Sequence, residues 1–243
     1  MYPIFNLLIF AIIVVAVILL CVFIQRFRRW FWLLLASQIP MLLLQIFMGI
    51  NQNIGRNLVG DCIEILIWVA VVGTFVWLAY RAARKYDVIP PFSWKFFRWG
   101  RMVIGFLMLY FSAFLVNLIT IILTNSSVAT DNQQALDTLA LQIPFLIYFL
   151  TIVLAGFFEE LVFRVGAFEI LLPNHKNWAA LVSIVLFTAA HGPSDLPSLF
   201  VYGFYAIILT GFYYKYRNFY LNMSIHMLLN TFGGVVFFLT QIL

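Results

Sequence analysis

Apolar runs close to the length of a bilayer crossing follow one another down this chain, beginning with about Ile4 to Ile24. A helix needs roughly 20 such residues to cross the hydrocarbon layer, and in lipid a helix satisfies all of its own backbone hydrogen bonds. The composition agrees: 65% of the 243 residues are hydrophobic and 9% are charged, with a mean hydropathy of +1.04, whereas an ordinary soluble domain carries about 25% charge. The predicted fold class is all-α, a polytopic transmembrane helical bundle of about eight spans with polar residues inside it and no separate soluble domain. The first run has no basic segment ahead of it and no clear small-residue cleavage site, so it reads as a retained span rather than a signal peptide.

The next expected spans run from about Trp30 to Ile50, with Pro40 as a kink, from Asp61 to Tyr80, and from Met102 to Leu123. A stretch without internal proline then lies between Pro144 and Pro173. It is followed by spans at about Trp178–His191, Leu199–Tyr214 and Phe219–Leu243. The Gly192-Pro-Ser-Asp-Leu-Pro197 turn forces the chain back. Residues 124–138, polar and without a cation, read as an outer loop.

Charge sets the direction of these spans. Arg26, Arg28, Arg29, the cations from Arg81 to Arg101, Lys176, Lys215 and Arg217 all fall on one side, against Arg56 on the other. By the positive-inside rule the basic loops are cytoplasmic and both termini extracellular in a cell membrane. The net charge of +5 is thereby explained without a nucleic-acid partner. The Arg81–Arg101 connection interleaves its cations with Phe92, Trp94, Phe96, Phe97 and Trp99, which reads as an anchor on an anionic leaflet. Its Pro90-Pro91 break divides residues 1–101, spans one to three and the basic connection, from residues 102–243, spans four to eight. Glu64, one turn inside the third span, reads as reaching the outer interface or pairing with Arg56. Cys21 and Cys62 have neither disulfide nor metal-site spacing.

The exceptional stretch is Ala155-Gly-Phe-Phe-Glu-Glu-Leu-Val-Phe-Arg164, where ionisable groups interrupt an apolar span. Such groups are costly in hydrocarbon and mark function. Glu160 and Arg164 have the favourable i,i+4 spacing for an ion pair on one helix. Glu159 has no basic partner at helical spacing and is the better candidate for acid or base work. At 1.5 Å per residue, Glu159 lies roughly 20 Å from Pro173, and His191 lies at roughly the same depth along the next span. On the last span His226 and Asn230 share a face at roughly 10 to 17 Å. Phe187 is one turn before His191 and is read equally as packing or as part of the site. A carboxylate beside an imidazole can deprotonate a water for attack on a carbonyl, and a second histidine with an asparagine can stabilise an oxyanion. Ser183 and Ser224 lack the Gly-x-Ser-x-Gly context of a serine nucleophile.

Glu159-Glu160-x-x-x-Arg164, Phe187-x-x-x-His191 and His226-x-x-x-Asn230, in that order, resemble the three motifs of the CPBP family, also called Abi or CAAX-protease-like intramembrane endopeptidases. The resemblance covers about residues 143–234. It implies that Glu159 and His191 activate water, that His226 and Asn230 form the oxyanion site, and that Glu160 and Arg164 support them. The substrate it implies is a peptide or a membrane-protein tail, and the small chain looks like bacterial members linked to bacteriocin processing, self-immunity or peptide signalling. Members have been described both as metalloproteases and as glutamic proteases. With no His-Glu-x-x-His present, the expectation is no cofactor, with zinc the less favoured reading. A non-catalytic immunity or peptide-binding protein, or a small transporter, stays as the alternative class. Neither the substrate nor the oligomeric state is legible.

Overall fold

The computed structural model describes residues 14–124 and 131–242, and every regular element among them is helical. In chain order these are α1 (Val14–Phe23), α2 (Gln25–Ile54), α3 (Leu58–Lys85), a single 3₁₀ turn (Trp94–Phe96), α4 (Trp99–Thr124) and α5 (Asp131–Gln142). Then come α6 (Phe145–Glu159), continuing directly into a π-helical segment (Glu160–Leu171), α7 (Lys176–Ala190), α8 (Leu196–Tyr216) and α9 (Phe219–Ile242). Six of the described helices are long and apolar enough to cross a membrane, and α1 and α7 are shorter apolar helices where the first and sixth spans were expected. The beginning of the first expected span, before Val14, lies outside the described residues.

The burial pattern is that of a protein solvated by lipid. Large apolar side chains such as Leu66, Phe111, Ile122 and Ile207 face outward, while Glu160, Arg164, Ser183, Asn222 and His226 are buried. One hydrophobic core runs from Trp30 and Leu33 of α2 to Leu221 and Ile225 of α9, so the parts before and after residue 101 share it. The π segment packs against α2 and α7, and α6 packs most extensively on α9.

Three expectations are corrected. Arg26, Arg28 and Arg29 do not sit in a loop: only Ile24, at φ −116° and ψ 97°, separates α1 from α2, and the arginines occupy the first turns of α2. No proline or glycine there stops a helix. Much of the expected 124–138 loop is α5, because Leu136, Leu139, Ala140 and Ile143 recur at helical spacing and turn towards the core. Residues 125–130 lie outside the described residues. For Glu64 it is the pairing with Arg56 that is corrected: Glu64 is buried near the start of α3 and accepts from Asn51 Nδ2 at 3.4 Å, while Arg56 pairs with Asp61 at 2.8 Å. The shorter Asp61 side chain stands nearer the exposed end of α3, where Arg56 reaches it.

Local signals position the elements that matter for the site. Asn218 caps α9, its Oδ1 accepting from Leu221 N at 3.1 Å, and its Nδ2 donates to Phe96 O at 2.9 Å. Tyr220 adds a hydrogen bond from its hydroxyl to Pro90 O at 2.8 Å. The basic, aromatic connection is thus docked onto the start of α9. Asp195 and Ser198 form a capping box that starts α8, and the Ser198 hydroxyl and backbone amide hold the Asp195 carboxyl below the usual carboxylate range.

Candidate active site

Side chains from α6, the π segment, α7 and α9 meet inside the bundle. The α6 helix ends at Glu159, and Glu160 opens the π segment, its N–H shared between the Gly156 and Phe157 carbonyls. Glu160 is fully buried and is held by three donors. Arg164 Nη1 and His226 Nδ1 each reach its Oε1 at 3.0 Å, and Asn222 Nδ2 reaches its Oε2 at 3.0 Å. Arg164 is equally buried, and its guanidinium lies 4.2 Å from the centre of the Phe187 ring. A buried ion pair persists only when its desolvation is offset by good geometry and further hydrogen bonds, and Glu160 has both.

Glu159 is placed differently. Its Oε2 is buried without a hydrogen-bond partner, 3.8 Å from His191 Nε2 and 3.7 Å from His226 Nε2. The Glu159 side chain as a whole is 23% exposed, whereas that of Glu160 is fully buried. A carboxylate oxygen and two imidazole nitrogens, from three different helical elements, therefore face one point.

The histidines are aimed by their other nitrogen. His191 ends α7, and its own N–H turns back to Thr188 O at 3.3 Å, leaving the Phe187 carbonyl among the unfilled acceptors of a helix end. The imidazole fills it, Nδ1 donating to Phe187 O at 2.8 Å, which turns Nε2 towards Glu159. The His191 ring lies between Phe187, with centroids 4.4 Å apart, and Tyr202 of α8, also at 4.4 Å and nearly parallel at 24°. For His226 the partner of Nδ1 is Glu160, and its Nε2 is likewise left for Glu159. Both acceptors hold the Nδ1–H form of the neutral ring.

The structure brings Glu159, Glu160, Arg164, Phe187, His191 and His226 together. Asn230 stands one turn along α9 from His226 and gives one amide hydrogen to Ile152 O at 2.7 Å, with a second N–H remaining. Sequence reasoning passed over Asn222 and Tyr202. Asn222 carried a signal, being four residues before His226 on the face that continues to Asn230, whereas nothing distinguishes Tyr202 from the other aromatics of α8.

Glu159, His191 and His226 are also the donor types of a zinc site. Zinc bonds of about 2.0 Å in a tetrahedron set ligand atoms about 3.3 Å apart, closer than the two spacings to Glu159 Oε2. Among the described residues no group of three or more His, Cys, Asp or Glu side chains is arranged to hold a metal ion.

Residues 141–232 match the family described as type II CAAX prenyl endopeptidase Rce1-like, a span that contains every residue of this cluster. Over 207 residues the chain is 39% identical to the UPF0177 protein YvdC of Lactococcus lactis subsp. lactis (strain IL1403), covering 85% of this chain and 76% of that protein. No solved structure matches the chain.

Proposed function

The chain belongs to the CPBP family, the Abi or CAAX-protease-like intramembrane endopeptidases, and on that premise we propose that it hydrolyses peptide bonds with a water activated by Glu159 and His191. The observation that carries this is the Glu159 Oε2 atom, buried without a hydrogen bond and facing two imidazole Nε2 atoms. Glu159 accepts a proton as the water oxygen attacks the scissile carbonyl carbon, with His191 Nε2 holding the water. His226, protonated at Nε2 over the Glu160 carboxylate, and the second amide hydrogen of Asn230 donate to the oxyanion. The proton on Glu159 passes to the leaving nitrogen, and the C–N bond breaks to an acid and an amine. No step is routed through a metal; the wide spacings support that choice.

The substrate is a peptide or the tail of a membrane protein, reached in the bilayer. A bacterial relative of similar length supports the reading as a small bacterial member acting in bacteriocin processing, self-immunity or peptide signalling.

The test uses purified protein in lipid nanodiscs with a library of fluorogenic peptides, farnesylated and unmodified. Glu159→Gln and His191→Ala are each expected to lower kcat by about 10²–10⁴-fold, the contribution of a positioned acid or base, with unchanged thermal unfolding. Cleavage retained in both folded variants would sink the mechanism.

A further inference from the structure

We propose that Asn222 is a positioning residue that fixes which nitrogen of His226 exchanges its proton. The inference rests on the reading of His226 as part of the hydrolytic site. Asn222 is 1% exposed, and its Nδ2 donates both to Glu160 Oε2 at 3.0 Å and to Leu209 O of α8 at 2.7 Å. Both partners are acceptors only, so the amide has a single possible orientation. Its Oδ1, turned the other way, is buried without a donor, an unfavourable arrangement that a purely structural asparagine does not need.

The geometry gives this asparagine a particular task. Arg164 and His226 both bind Oε1 of Glu160, which leaves the carboxylate free to turn about the axis through its carbon unless Oε2 is held. Asn222 holds it, and it ties the carboxylate to α8 through Leu209. With Glu160 fixed as an acceptor beneath Nδ1, His226 keeps its hydrogen on Nδ1 in the neutral ring. The proton that comes and goes is then on Nε2, the nitrogen 3.7 Å from Glu159. Without Asn222, Glu160 can turn away, Nδ1 loses its acceptor, and the ring loses the carboxylate that supports it when Nε2 carries the hydrogen directed at the oxyanion.

The chain has 3 histidines, so ¹⁵N-histidine NMR of the whole protein in nanodiscs resolves the tautomers, with Glu159→Gln and His226→Ala as assignment aids. In the wild type at alkaline pH, His226 is expected to show a protonated Nδ1 and a bare Nε2. Asn222→Leu, similar in shape but without donors, is expected to lose that preference and to lower kcat about 10–100-fold, by analogy with the loss on removing the groups that orient a metal-bound histidine, with KM unchanged. Asn222→Gln, which keeps an amide donor, is expected to retain the Nδ1–H form and recover much of the rate. A wild-type His226 protonated at Nε2 overturns the proposal even if the leucine variant does not fold. An unchanged tautomer in folded Asn222→Leu, or a loss confined to KM, overturns it as well. Failure of the hydrolytic reading looks different: Glu159→Gln would keep cleaving while the tautomer of His226 stayed as expected.

Discussion

Arg164 is a cation without exposure, and only one of its nitrogens, Nη1, has a hydrogen-bond partner; Nε and Nη2 have none. Its charge is answered by Glu160 and by the face of Phe187. Removing one member of such a pair strands the other, which costs about 3–5 kcal/mol. Arg164→Met is therefore expected to destabilise the protein by about that amount in detergent unfolding, and the double change Glu160→Gln with Arg164→Met to recover most of it. Activity is expected to stay low in the double variant, because a neutral amide is a weaker acceptor for His226 Nδ1 than a carboxylate. Equal stability of the single and double variants would remove the ion pair from the account. At this scale the pairing of Glu160 with Arg164 was legible, since an i,i+4 acid and base on one span have few other partners. The different surroundings of the two glutamates, one paired with Arg164 and one not, were legible for the same reason. What was not legible is that Phe187 acts through its carbonyl as much as its ring, because a backbone acceptor carries no sequence signal.

Helix α9 carries Asn222, His226 and Asn230, and its seat is set by glycines at close approaches. A Cβ on Gly156 of α6 would lie 3.0 Å from Met227 N and 3.4 Å from the His226 carbonyl carbon, both backbone atoms. A Cβ on Gly105 of α4 would instead meet side-chain atoms alone, Ile225 Cδ1 at 2.5 Å, Cγ1 at 2.9 Å and Cγ2 at 3.0 Å. Backbone cannot give way as a rotamer can. Gly156→Ala is thus expected to displace α9 beside the site, and since a 1 Å misplacement costs about 10²-fold, to lower kcat several-fold or more. Gly105→Ala is expected to change kcat much less, and equal losses would count against the argument. The π segment is seated similarly by Trp30, whose Nε1 donates to Val162 O at 3.0 Å while its indole fills the space beside Gly166. Gly166→Ala, with a Cβ 2.5 Å from Trp30 Cδ1, is expected to cost about 1–3 kcal/mol as overpacking, read by thermal unfolding. The position of each apolar helix was visible in the sequence because hydrocarbon demands length and apolarity, but the π register and α5 were not. A shift from i→i+4 to i→i+5 bonding changes no residue type, and α5 is a surface helix whose signal is periodicity within a polar stretch.

Across the whole molecule the cationic segments gather at one end of the bundle. Arg29 lies over Tyr86, joining the start of α2 to the end of α3, and Arg101 lies over Tyr216, joining the start of α4 to the end of α8. Lys176 and Asn177 at the start of α7 both reach Tyr214, and Arg217 pairs with Glu169 at 2.7 Å. At the opposite end, Asn51, Gln52, Glu64 and Gln142 are linked by hydrogen bonds, near Arg56 and Asp61. The grouping follows from alternating antiparallel helices, so the charge pattern read along the chain becomes a difference between two faces. Cations near span ends are retained on the cytoplasmic side, which predicts that the Lys95 end faces the cytoplasm and the Asn53 end faces outward. With Cys21 and Cys62 replaced by alanine, Asn53→Cys should react with a membrane-impermeant maleimide in intact cells, and Lys95→Cys only after the membrane is opened. Both substituted positions are exposed, so burial does not account for a failure to label. The reverse pattern would invert the bundle, because the two ends exchange sides together.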